Sequence, residues 1–429
     1  MSGVQGIAKI PELRRRILFT LVALILYRFG SFLPIPGIDA EQLAEFFQAN
    51  TILGFFNLIA GNALRQMSIF ALGVMPYISA SIIFDLLKVV SPRLKELSQE
   101  GEEGRKKLTQ YTRYGTVALS LFQGFMLSTL ISKQAGAVYI PGWQFTVITM
   151  ITLCTGTCLL MWLGEQITNR GIGNGISLIL FAGIAAQIIS HFQRLFEYSA
   201  KTNPMSGFIV IGFIVCLIAF IVFMERGQRR IPIQYAKRIQ GRKMYGGQTT
   251  HLPLKINTSG VIPPIFASSL LTFPNSILQF YTVGFLALFA NAMQNQTVFD
   301  LLYIGLIVFF CYFYTSIVFN PHDVSENLKK YGGYIPGIRP GGPTAEYLEK
   351  VLSRITLGGA IYIAAACVVP GIIFNLIGPE LQFMGYAFGG TSVIILIGVA
   401  LDTVSQIESH LLSRHYEGFM KQAKIRGRR

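Results

Sequence analysis

The sequence predicts an all-α integral membrane protein of ten transmembrane helices, and three observations predict it. Some ten apolar stretches of about bilayer-crossing length run through the 429 residues. Charged residues are 13% of the chain, where soluble domains carry roughly 25%. The basic residues gather in every second gap between the apolar stretches. A hydrocarbon core about 30 Å thick takes about 20 apolar residues to cross as a helix, and in lipid a helix satisfies every backbone donor and acceptor internally.

The spans are expected at 17–35, 68–88, 114–132, 145–164, 175–192, 207–224, 260–280, 301–320, 355–374 and 385–402. The first is span-length and no small-residue cleavage site follows it, so it reads as a span and not as a cleaved leader. Residues 51–65 are too short to cross and carry Asn57, Asn62 and Arg65. They fit either an interfacial helix or a segment dipping into a cavity, where short backbone survives at membrane depth. Pro76 lies early in the second span, Pro263 and Pro264 early in the seventh and Pro274 near its far end, positions where proline kinks a helix. Ser79 and Ser81 on the second span, Gln123 on the third, and Ser268, Ser269 and Thr272 on the seventh are polar groups of the kind that bond across packed helices. They fit ordinary helix contacts or a seam that opens. The run RGIGNGI at 170–176 follows a membrane helix and lacks the Lys-Ser/Thr ending of a phosphate loop, so it is expected to be a tight turn needing positive φ. Gly389 and Gly390 mark a close helix contact.

Charge sets the orientation. Of 36 Lys and Arg, only Arg28, Arg65, Lys133, Arg194 and Lys201 fall on the far side when the N-terminus is cytoplasmic. This positive-inside bias puts both termini in the cytoplasm, which needs an even number of crossings. Lipid headgroups and topology account for much of the net charge of +15. Two cytoplasmic loops, about 225–258 and 321–350, exceed what topology needs. The first holds Arg226, Arg229, Arg230, Lys237, Arg238, Arg242, Lys243 and Lys255 against Glu225. An RNA surface such as a ribosome, or an acidic protein partner, matches it.

The acids nearest the spans, Asp85, Glu165, Glu225, Asp300 and Asp402, sit at span ends. Ion-coupled transporters usually place ionisable groups near the bilayer centre, and general acid–base catalysis needs positioned titratable groups. A gradient-driven solute transporter and a membrane enzyme are therefore the weaker readings. The five cysteines are scattered through apolar spans and no histidines sit at ligand spacing, so no metal or cofactor is expected.

The motifs GRKKLTQYTRYGT at 104–116, LGEQITNRGIGNGIS at 163–177, ERGQRR at 225–230, THLPLK at 250–255, VIPPIFASS at 261–269, IPGIRPG at 335–341 and FGGTS at 388–392 together resemble the SecY family, the large subunits of bacterial protein-conducting channels. The resemblance implies two pseudo-symmetric five-helix halves, 1–192 and 207–402, with an external hinge loop at 193–206 and a cytoplasmic tail at 403–429. It implies a pore ring of Ile78, Ile82, Ile176, Leu180, Ile265 and Ile395, and a plug at about 54–65 including Phe55, Asn57, Leu58, Ile59, Asn62 and Leu64. A lateral gate would include Ser79, Ser81, Gln123, Ser269, Thr272 and Phe273. Arg226, Arg229, Arg230, Arg238, Arg242, Lys243 and Arg339 would dock the SecA motor or the ribosome. Small SecE- and SecG-type membrane subunits, signal-bearing polypeptides and lipids are the other partners implied. The location implied is the bacterial cytoplasmic (inner) membrane.

Overall fold

The computed structural model describes residues 11–38, 63, 66–132, 138–139, 142–201, 204–235, 238–240, 243–245, 249–278, 295–377, 385, 388–389 and 391–426. The helices α1 (Pro11–Gly30), α2 (Met75–Val90), α3 (Pro92–Gln99), α4 (Glu102–Ser132), α5 (Trp143–Arg170), α6 (Gly175–Lys201) and α7 (Pro204–Arg226) come first. Strands β1 (Gln228–Tyr235), β2 (Arg238–Gln240), β3 (Lys243–Tyr245) and β4 (Thr249–Lys255) follow. Then come α8 (Ile262–Leu278), α9 (Gln296–Val318), α10 (Pro321–Lys330), β5 (Gly333–Tyr334), α11 (Gly342–Ile377) and α12 (Thr391–Arg426). Every expected apolar stretch overlaps one of these helices. Among the described residues, seven helices are long and apolar enough to cross a bilayer, or eight if α2 and α3, bent by 103° to each other, count as one broken span. The remaining two stretches lie on α1, which opens with Arg14, Arg15 and Arg16, and on the 17-residue α8.

Chain contacts divide the molecule into two units, 1–197 with 395–429, and 198–394. In the first unit α1 buries Leu13, Thr20, Ala23, Tyr27 and Gly30, a narrow stripe at helical spacing. Its other faces expose Leu18, Leu21, Ile25, Leu26 and Phe29. Such a distribution suits a lipid solvent, where an apolar exterior carries no penalty. On α4 the buried face runs Gly104, Leu108, Thr112, Thr116, Ser120, Gly124, Ser128, each one turn after the last. Small residues let neighbouring backbone come close: a Cβ added at Gly124 would stand 3.3 Å from Met150 Cα on α5. Further out, Ile35, Ile38, Ala63, Met67, Ala71, Leu127, Ile131, Phe145 and Leu153 form a buried cluster.

In the second unit α7 buries Gly207, Val210, Ile214, Leu217 and Ile221, again one stripe. Phe213 meets Phe374 of α11 edge-on at 5.5 Å, and Phe266 of α8 meets Phe310 of α9 the same way at 5.5 Å. The two basic loops are folded. Strand β1 pairs antiparallel with β4, from Gln228 opposite Lys255 to Gln234 opposite Thr249. Its other edge pairs Gln234 and Tyr235 with Tyr334 and Gly333 of β5, so one sheet joins both loops. Ile231, Leu254, Ile335, Leu348 and Val351 make the core beneath it.

Four expectations change. Residues 193–201 continue α6 and Pro204 already begins α7, so most of the expected hinge loop is helix. Helix α11 starts at Gly342, thirteen residues before the expected span, because Leu348, Val351 and Leu352 give its cytoplasmic turns a core to pack on. The 403–429 tail is largely the continuation of α12, as far as Arg426. Pro76, Pro263 and Pro264 lie in the first turns of α2 and α8. There the missing N–H is one that no helix would use, so these prolines start the helices and do not kink them.

Candidate functional site

Ile78 and Ile82 lie one turn apart on α2, and both are buried. Ile176 is in the first turn of α6, with Leu180 one turn later; Leu180 is buried and Ile176 half-buried. Ile265 is half-buried in the opening turn of α8, and Ile395 is buried near the start of α12. Five of the six belong to the first unit and Ile265 to the second.

The turn before α6 positions Ile176. Gly173 has φ +87°, the left-handed conformation expected of this run. Most of the turn's amides are engaged by protein oxygens. Ile172 N–H donates to Thr20 Oγ1 at 3.1 Å, Gly173 N–H to Gln406 Oε1 at 3.0 Å, and Gly175 N–H to Thr168 Oγ1 at 2.9 Å. Asn174 Oδ1 caps α6 by accepting from Ile176 and Ser177 N–H at 3.1 and 3.3 Å. With those donors occupied, the glycine run is a structural turn. A Cβ at Gly175 would run into the Gly164 carbonyl, so α5 and α6 touch backbone to backbone there. Through its bond to Gly173, Gln406 joins α12, which from Ile395 on belongs to the first unit, to the turn.

The polar residues of the expected seam lie on α2, α4 and α8. Ser79, Ser81 and Gln123 are half-buried on α2 and α4. Ser268 Oγ donates to the Ile265 carbonyl of its own helix at 2.9 Å, and Ser269 Oγ is buried without a partner. The same inward choice recurs at Thr112, Thr116, Ser120 and Thr157, whose hydroxyls bond carbonyls three or four residues back. A hydroxyl has a carbonyl of its own helix within reach wherever it sits, so these groups contribute small volume more than cross-helix bonds. Thr272 and Phe273 fall on α8, but their side chains lie outside the described residues. Phe55, Asn57, Leu58, Ile59, Asn62 and Leu64 lie outside them altogether. Gly389 approaches Gly371 of α11, its added Cβ 3.5 Å from Gly371 N, a close contact as expected; Gly390 is outside the described residues.

The basic residues are displayed by the sheet. Arg226, Arg229, Arg230 and Arg339 are exposed. Along β1, Ile231 and Ile233 point into the core while Arg230 and Pro232 face out. Arg339 follows a turn in which Ile338 N–H donates to the Ile335 carbonyl at 3.1 Å, with Pro336 and then Gly337 at φ +83° in the centre. Proline then glycine in those places is the type II arrangement. Thr344 Oγ1 donates to the Arg339 carbonyl at 2.8 Å and holds the backbone there. Arg238 and Lys243 lie on the paired strands β2 and β3, with side chains outside the described residues, as is all of Arg242.

Sequence reading missed two polar clusters. Arg113 of α4 makes a forked pair with Glu165 of α5, Nε to Oε1 at 2.9 Å and Nη2 to Oε2 at 2.7 Å. Two residues 52 positions apart give no local signal of pairing. Glu225 accepts from Asn257 Nδ2 at 2.6 Å and from Tyr362 Oη–H at 3.3 Å. Among the described residues no group of three or more His, Cys, Asp or Glu is gathered that could hold a metal ion.

A family model described as SecY matches residues 68–404. The chain belongs to the SecY family. The protein translocase subunit SecY of Vibrio cholerae is 47% identical over 431 residues, covering 97% of this chain and 96% of that protein. The subunit of the same name from Escherichia coli strain K12 is 47% identical over 429 residues, with 97% and 96% covered. A solved structure described as a protein conducting channel superposes with a TM-score of 0.65 at 17% identity, covering 95% of this chain and 97% of that one. Sec61 from a canine ribosome–channel complex matches at a TM-score of 0.65 and 17% identity, over 95% and 97% of the two chains. At those identities the structures speak for the fold, and the fold is that of SecY-type channels.

Proposed function

We propose that this chain is the pore subunit of a protein translocase in a bacterial inner membrane. It is a passive channel through which unfolded secretory polypeptide crosses and from which apolar segments leave sideways into lipid. The observation that carries this reading is 47% identity across 97% of the chain to subunits named for protein translocation. Ile78, Ile82, Ile176, Leu180, Ile265 and Ile395 would form the constriction. Uncharged aliphatic side chains exclude water by dewetting, bind no ion and adapt to any passing sequence. Residues at about 54–65 would plug it, and Ser79, Ser81, Gln123, Ser269, Thr272 and Phe273 would border the lateral exit.

A channel of this kind supplies no energy. A SecA motor or a ribosome would supply it by docking on Arg226, Arg229, Arg230, Arg238, Arg242, Lys243 and Arg339, with SecE- and SecG-type subunits beside the bundle. The folded basic sheet supports this, because it presents its cations on a rigid frame. Both termini would be cytoplasmic, with ten crossings. Reconstitution with a motor ATPase and a signal-bearing precursor tests the function, and protease-protected precursor is the expected result. Glycine at Ile82, Ile176, Ile265 and Ile395 together is expected to make resting vesicles leak ions, while valine at the same four keeps the seal. Unchanged conductance in the glycine variant would remove these residues from the constriction.

A further inference from the structure

We propose that Asn257 is a positioning residue that ties the cytoplasmic β1–β4 hairpin to the start of α8, so that force taken up by the hairpin reaches the span carrying Ile265. This rests on the channel reading above and adds to it the path by which docking moves the pore lining.

The geometry is short and closed. At the base of the hairpin, Ile256 N–H donates to the Gly227 carbonyl at 3.0 Å. The next residue, Asn257, is buried, and its amide Nδ2 bonds both Glu225 Oε1 at 2.6 Å and the Gly260 carbonyl at 3.1 Å. Its Oδ1 accepts from Ser259 Oγ–H at 3.2 Å. Glu225 belongs to the last turn of α7 and also accepts from Tyr362 of α11. Gly359 of α11 lies under the same knuckle, where an added Cβ would stand 2.7 Å from the Ile256 carbonyl. Helix α8 begins two residues after Gly260, with Pro263 and Pro264 stiffening its first turn. One side-chain amide thus holds the end of α7 with one hydrogen and the approach to α8 with the other. Only a primary amide offers two such donors beside an acceptor on one short side chain.

The test uses the whole chain in reconstituted vesicles, with a motor ATPase and a signal-bearing precursor. Asn257→Asp removes both donors and sets a second carboxylate against Glu225. It is expected to lower precursor transport about tenfold, the size of a typical coupling between sites, while the motor's affinity for the vesicles stays at the wild-type value. Adding Glu225→Gln restores the amide–carboxylate bond to the end of α7 with the roles exchanged, but not the bond to the Gly260 carbonyl, and is expected to recover transport in part. Wild-type transport in Asn257→Asp overturns the proposal. So does motor affinity falling in step with transport, or a double variant that regains thermal stability but not transport. A wild-type protein that moves no precursor would instead overturn the channel reading itself.

Discussion

Met67 is a buried, non-glycine residue at φ +42°. Its carbonyl accepts Ile35 N–H at 2.8 Å, so the left-handed turn that carries the chain out of residues 51–65 is locked to the segment after α1. Two effects compete if Met67 becomes glycine. Relief of the backbone conformation is worth about 1–2 kcal/mol. Loss of a fully buried methionine side chain costs about 2–5 kcal/mol. The cavity wins, and Met67→Gly is expected to lower the thermal midpoint of the detergent-solubilised protein. A raised midpoint would show that strain, not packing, dominates there. The same weighing explains the glycines at 164 and 175. At Gly175 the opposing atom is the Gly164 carbonyl, backbone that does not yield as a flexible side chain does, while at Gly164 an added Cβ would stand 2.9 Å from the Ile176 side chain, whose place at the start of α6 it would disturb.

At the scale of elements, the cytoplasmic sheet shows how far a chain can be read locally. The apolar spans were legible because crossing lipid demands a run of apolar residues that needs no knowledge of a partner. The 170–175 turn was legible because glycine and asparagine carry their own conformational preferences. The sheet was not. The buried–exposed alternation of β1 lasts only from Arg230 to Ile233, and one of its partners, Tyr334, lies a hundred positions from Gln234. Proline at 232 and 253, opposite His251 and Arg230, further weakens any strand signal. The helix ends were misjudged for a related reason. Apolarity marks where lipid begins and ends, whereas α11 runs past it because Leu348 and Val351 find a core on the cytoplasmic side, and α12 continues past it as a helix largely exposed among the described residues. What holds the sheet is therefore side-chain burial, with Leu348 at its centre, 0% exposed. Leu348→Ala is expected to cost this subdomain about 2–5 kcal/mol. It should speed tryptic cleavage after Arg229, Arg230 and Lys255, without altering cleavage elsewhere. Unchanged cleavage would mean that the strand pairing alone maintains the fold of the loop.

For the molecule as a whole, orientation follows from where its cations lie, and each cation adds to the same bias. The exposed Arg226, Arg229, Arg230 and Arg339 stand on one subdomain of the second unit. Lys201, at the end of α6, is one of only five cations assigned to the other side. Between Lys201 and Arg339 run α7, α8 and α9, three helices on three apolar stretches. An odd number of crossings puts the two positions on opposite faces, and this holds only if the short α8 crosses as α7 and α9 do. The check is a cysteine at each position in turn, in a background whose five native cysteines are replaced, probed with a membrane-impermeant maleimide. Position 339 is expected to label in inside-out vesicles alone, because the positive face is cytoplasmic, and position 201 in right-side-out vesicles alone. Labelling of both from one face would leave α8 as a re-entrant segment. It would also make the total of crossings odd and separate the two termini, against the charge argument that places them together.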